Sequence, residues 1–141
     1  MKLNKKRIIV IISALALLAI VIYAAIYSAK TDEREEQKLY DQLNVLASNY
    51  YKDYYYNLFG DNDTEIANRI SQYKDTGITI SLNDLAKYKI DDYSNILSSY
   101  KNYKTGSNCD YDNTKVTFYP YEPYGRNDFR IESTVVCGFN K

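Results

Sequence analysis

The chain has no histidine and no tryptophan, and only two prolines, two cysteines and five glycines. Without histidine there is no Ser-His-Asp or Cys-His nucleophile and no imidazole to hold a metal. Two cysteines are too few for a Cys-only zinc site, and a bridged pair is no nucleophile. No Gly-rich phosphate loop is present. Carboxylates and tyrosines are the remaining acid–base groups. Two acids flanking a cleft can cleave a glycoside, but here Asp and Glu are spread through loops and helix starts, where a solvated surface explains them. No enzyme activity and no cofactor is expected.

Negative charge is missing from the first 31 positions. Lys2, Lys5, Lys6 and Arg7 form a basic head, residues 1–7. Residues 8–27, "IIVIISALALLAIVIYAAIY", then carry no charge at all. At about 1.5 Å per residue this run is about 30 Å long, the thickness of a bilayer hydrocarbon core. It is longer than a signal-peptide core, and "IYAAIYSAK" offers no good small-x-small exit, so an uncleaved single-span anchor is expected. No cysteine stands near the run, which excludes a lipoprotein anchor, and no wall-sorting signal or second apolar span follows. The basic head belongs on the cytoplasmic side, leaving residues 28–141 outside. Removing the four basic residues of the head from the 18 in the chain leaves 14 Lys+Arg against 18 Asp+Glu, a net charge of −4. Such a domain is a poor nucleic-acid binder, because neutralising phosphates needs a basic surface.

Neither proline nor glycine interrupts the chain from Lys30 to Phe59. Leu39, Leu43, Leu46, Ala47, Tyr50, Tyr54 and Leu58 recur at helical spacing, which predicts one long helix over about residues 5–58, ended at Gly60. "DNDTE" then offers Asn62 or Asp63 as an N-cap for a helix over 64–74. "GITISL" reads as a short strand or an extended link. Ser81 with Asp84 resembles a capping box opening a helix over 82–88. "DDYSNILSSYKNY" is compatible with a helical turn or with irregular chain. Strands are expected over 115–121 and 128–136, joined by the turn chemistry of "EPYGRN". Pro120 has to sit on an edge or at a strand end. In a hairpin centred near 124–125, Cys137 falls opposite residue 112, close to Cys109. A Cys109–Cys137 disulfide would close a loop of about 29 residues and contribute roughly 3–4 kcal/mol; the rivals are free thiols or an intermolecular bridge. The fold class is α+β, a long helix packed on a small antiparallel sheet.

Seventeen tyrosines stand out. On a helical wheel Tyr50 and Tyr54 share the sector of Leu39, Leu43 and Leu46. Tyr51 lies at its edge beside Leu58, and Tyr55 and Tyr56 point away. "YPYEPYG" places Tyr119, Tyr121 and Tyr124 at a hairpin tip, the candidate partner surface. The bland rival is composition, since Tyr, Asn, Lys and Ile are all used heavily. Asp61, Asp63 and Glu65 have some calcium-loop character but lack the Gly and Glu spacing of a calcium hand, and helix capping explains them. Asp110, Asp112 and Asn113, beside Cys109, are loop-like and the slightly better calcium candidate. No metal site is expected.

The order of a basic leader, an apolar helix running on into the domain, the stripe Leu39–Leu43–Leu46–Tyr50–Tyr54, the hairpin "VTFYPYEPYGRNDFRIESTVV" and the pair Cys109/Cys137 resembles the type IV pilins and pseudopilins. That resemblance implies a helix packed on a sheet, with protein partners met through the apolar helix. It also implies a structural role in a type IV filament or a secretion-type machine. "KKRIIVIIS" departs from the family. It lacks the Gly of the peptidase site and the Glu that pairs with a neighbouring subunit, so a pilin-like protein that stays anchored is expected. The alternative is an anchored domain that binds a surface ligand or partner through exposed tyrosines.

Overall fold

The computed structural model of the chain describes residues 5–139. Lys2 of the basic head lies outside them. The chain divides into two compact units, residues up to Glu35 and residues from Glu36 on. The first unit is helix throughout its described length, and its side chains from Ser13 to Lys30 are exposed. An 18-residue window within it has a mean hydropathy of 1.8 with none of it buried, long and apolar enough to cross a membrane. Tyr23 and Tyr27, one turn apart, stack with ring centroids 6.4 Å apart.

Helix α1 covers Lys5–Tyr50. The helical path continues through a π-turn at Tyr51–Tyr55 and a 3₁₀ turn at Tyr56–Phe59. Gly60 ends it in extended backbone rather than in a left-handed cap. A Cβ at Gly60 would lie 2.9 Å from the Glu65 side chain, whose carboxylate accepts from the Asp61 N–H (3.4 Å). Asn62 caps helix α2, Asp63–Ile70, accepting from the Glu65 N–H at 3.0 Å. A 3₁₀ turn at Ser71–Tyr73 follows. "GITISL" resolves as a strand, β1, Ile78–Ser81. Ser81 caps α3, Leu82–Tyr88, accepting from the Asp84 N–H at 3.1 Å. The undecided stretch becomes a 3₁₀ turn at Ile90–Asp92 and helix α4, Tyr93–Ser99.

Strands β2, Lys115–Pro120, and β3, Phe129–Thr134, form the expected hairpin, each a little shorter than the alternation suggested. Lys115 pairs with Thr134 and Pro120 with Phe129, so the hairpin is centred between residues 124 and 125. β1 pairs antiparallel with β2, giving the order β1–β2–β3. Pro120 sits at the end of the central strand, where a missing N–H disrupts least. Val116 and Phe118 turn inward with no exposed surface, while Thr117 and Tyr119 turn outward. On that outer side the Thr79 and Thr117 hydroxyls hydrogen-bond across the strands at 2.9 Å.

Within the second unit the sheet's inner side packs on the C-terminal part of α1. Tyr51 rests against Phe118 (4.9 Å) and Phe129 (4.4 Å), and the Ser133 hydroxyl donates to Asn44. Leu43, Ala47, Ile70, Leu82, Leu85 and Ala86 complete a core with no exposed surface. Each large apolar side chain in it contributes about 1.5–3 kcal/mol by leaving water. The Cys109–Cys137 disulfide closes the open end of the hairpin. Around it, the Asp110 N–H donates to the Val136 carbonyl (2.7 Å) and Asn102 Nδ2 to the Cys137 carbonyl (2.9 Å). The Thr114 hydroxyl accepts from the Val136 N–H (3.0 Å).

The buried tyrosines are not those the wheel selected. Tyr51 has no exposed surface and Tyr56 only 3%. Tyr50 is half-buried, and Tyr54 and Leu58 are 44% and 57% exposed. There are two physical reasons. The buried positions Leu39, Leu43, Ala47 and Tyr51 follow the i+4 ridge, which is inclined to the helix axis, so the contact side drifts out of any fixed sector. The π-turn then adds a residue per turn: the Tyr56 N–H bonds back to the Tyr51 carbonyl, and five-residue spacing puts Tyr56 on the side of Tyr51.

Candidate functional site

With Tyr51 and Tyr56 taken into the core, Tyr50 and Tyr54 are left facing α3. Tyr88, in the last turn of that short helix, meets both. Ring centroids are 5.2 Å apart for Tyr50–Tyr88, nearly perpendicular at 83°, and 5.3 Å for Tyr54–Tyr88. Tyr50 and Tyr54 are 5.4 Å apart. These are ordinary separations for attractive aromatic pairs. Together with Asp84 and Lys87 the three rings line an open cleft of about 290 Å³. The rim carries one ion pair, Lys87 Nζ to Asp84 Oδ1 at 3.0 Å. Asp84 Oδ2 also accepts from the Ser81 hydroxyl at 2.9 Å. The Lys87 and Ser81 hydrogen bonds hold the Asp84 carboxyl below its usual range. Burial, with the neighbouring phenols and Asp84 adding to it, pushes the Tyr50 phenol up to about 12. Tyr50 is therefore a neutral hydroxyl donor at physiological pH. Nothing in the sequence pairs Tyr88 with Tyr50 and Tyr54, because β1 and the turn at Ser81 bring α3 back to the helix end.

The three tyrosines singled out at the hairpin tip are not equivalent. Tyr119 lies on the outer side of β2, with the Arg130 guanidinium 4.7 Å from its ring centroid. Tyr121 is 51% exposed; its N–H donates to the Asp128 carbonyl and its own carbonyl accepts from the Tyr124 N–H. Tyr124 takes a left-handed φ of 62° and packs partly buried against the core. Its carbonyl accepts from the Tyr56 hydroxyl at 3.4 Å. Arg126 ties the tip to the turn after α1, donating to Asn57 Oδ1 at 3.0 Å and lying over the Tyr56 ring. A second cleft of about 310 Å³ opens here, lined by Tyr56, Asp63, Ala67, Pro123, Tyr124, Gly125 and Arg126. Of the candidate trio, then, Tyr121 offers the most open ring, and Tyr124 serves the turn.

The acidic loops have local work. Glu65 pairs with Arg69 at 2.6 Å. Asp110 accepts from the Asp112 and Asn113 N–H groups and from Asn113 Nδ2 (2.7 Å), an arrangement that tightens a turn. Among the described residues no three His, Cys, Asp or Glu side chains are grouped so as to hold a metal ion. No family model matches the chain, and neither a curated protein nor a solved structure matches it.

Proposed function

We propose that the chain is a single-pass membrane protein of pilin-like build, with a structural or assembly role in a type IV filament or a secretion-type machine. One observation carries this reading. A single helix, α1, holds both the apolar run and the stripe Leu39–Leu43–Ala47, and that stripe packs in the core of an antiparallel sheet whose hairpin is closed by a disulfide. The apolar part would pack laterally against partner helices within the bilayer, where close van der Waals contact rather than hydrophobic burial drives association. The basic head supports a cytoplasmic N-terminus, and a disulfide suits an oxidising exterior for the domain. The run has no Glu, so we assign the chain an anchored, accessory role rather than that of a filament subunit.

The test exchanges residues 8–27 for an unrelated membrane span. Filament or secretion subunits are expected to co-purify with the native chain and to be lost from the exchanged one. An unrelated span that serves equally well overturns assembly by helix packing.

A further inference from the structure

We propose that the cleft formed by Tyr50, Tyr54 and Tyr88, with Asp84 and Lys87 at its rim, is a binding site for a neutral pyranose saccharide. The inference is independent of assembly and concerns residues from Glu36 on.

Three features point to this ligand class. The first is shape. A hollow of about 290 Å³ lies at the lower end of the range for small-molecule sites, room for a short glycan end rather than a folded partner. The second is the floor. Tyr54 keeps 44% of its surface open although it touches two other rings. An exposed aromatic surface of this kind matches the C–H side of a pyranose, which is apolar, and a phenol hydroxyl is chemically able to hydrogen-bond with a sugar's hydroxyls. The third is charge. Asp84 and Lys87 stand 3.0 Å apart and compensate each other. The pair carries no net charge and so favours neither a cationic nor an anionic ligand, whereas a neutral polyol can hydrogen-bond to both partners. Hydrogen bonds to an ionised partner are the stronger kind, so the ion pair orients a hydroxylated ring without selecting for charge. The whole constellation is held by short-range structure: Tyr50 by the end of α1, Tyr54 by the π-turn, and the other three by α3, which Ser81 caps. Three rings already in contact lose little freedom when a ligand arrives, which favours binding.

The experiment uses the full chain in phospholipid nanodiscs, free of glycoside detergent. Maltotetraose, cellotetraose and chitotetraose are titrated by calorimetry, with saturation-transfer NMR to detect weak contact, and tetramethylammonium and acetate serve as charged probes. At least one sugar is expected to bind. Tyr54→Ala and Tyr88→Ala should each weaken it about tenfold, and Tyr54→Phe, which keeps the ring, by less. Tyr121→Ala should leave affinity unchanged. Melting temperature is followed for every variant, and Tyr54→Phe keeps the test open should an alanine variant fail to fold. Three results overturn the proposal: no sugar binds, a sugar binds with no dependence on Tyr54, or tetramethylammonium or acetate binds at the cleft more tightly than any of the sugars.

Discussion

Changing Tyr51 to phenylalanine removes one oxygen and keeps the ring. The Tyr51 hydroxyl is fully buried and has no hydrogen-bond partner among the described residues. Burying an unpaired hydroxyl costs about 1–3 kcal/mol. The ring, by contrast, makes close aromatic contacts with Phe129 at 4.4 Å and Phe118 at 4.9 Å, each contributing about 0.5–1.5 kcal/mol beyond its area. Tyr51→Phe should therefore stabilise the protein by about 1–2 kcal/mol. In a domain of about 100 residues each kcal/mol moves the melting temperature by about 4–8 °C. The aromatic circular-dichroism signal, followed during thermal and urea unfolding of the full chain, reports the change. Tyr51→Leu is the companion variant: it discards the ring contacts with the hydroxyl and should lose about 2–4 kcal/mol. A Tyr51→Phe midpoint equal to or below that of the native chain refutes the reasoning, because the hydroxyl would then be making a bond that offsets its burial.

The same burial shapes the response to alkali. Burial, with Tyr56, Tyr55 and Asp128 beside it, holds the Tyr51 phenol well above its ordinary value near 10, and burial does the same for Tyr100. Both folded values lie above the unfolded ones, so this stabilisation is complete below about pH 10 and is lost as pH rises through the folded values. Urea unfolding across that range should show stability falling beyond about pH 10, less steeply in Tyr51→Phe; a profile that stays flat sinks the assignment of both phenols to the core. Glycine replacements separate backbone strain from collision. Gly77 has φ +71°, and a Cβ there would meet Thr117 Cγ2 at 2.5 Å and Tyr119 Cε1 at 2.9 Å, whereas Gly106, at φ +70°, faces open space. Gly106→Ala should lose about 1 kcal/mol from its left-handed backbone and Gly77→Ala about 2–4 kcal/mol; equal losses in denaturant unfolding contradict the close approach of Gly77 to the sheet.

Elements whose cause is local could be found from residue order. The caps are single side chains acting three positions away: Ser81 caps α3 as expected, and of the two candidates for α2 it is Asn62, not Asp63, that caps the helix. The hairpin's centre follows from alternation on either side of a turn. The cysteine pairing follows from that register, because an antiparallel pairing carries Cys137 back to the neighbourhood of Cys109. β1 was harder to recognise, since four residues become a strand only when β2 supplies their hydrogen bonds. The short helix within "DDYSNILSSYKNY" has a similar cause: it is held by Leu97 and Tyr100 reaching the core, which no local signal announces.

The tyrosine-rich stretch marks the boundary between the two kinds of information. Composition and periodicity alone point to an apolar span and a long helix, because each depends on neighbours along the chain. The α+β class follows from the change of period toward the C-terminus, and two cysteines allow a single intrachain pairing. Which of Tyr50, Tyr51, Tyr54 and Tyr56 is core depended on the angle at which α1 lies across the sheet and on one π-turn. A wheel assumes a straight contact line and a constant 100° per residue, and neither holds here. The cleft at Tyr50, Tyr54 and Tyr88 likewise exists only because the fold returns α3 to the end of α1, bringing together residues 34 positions apart in sequence.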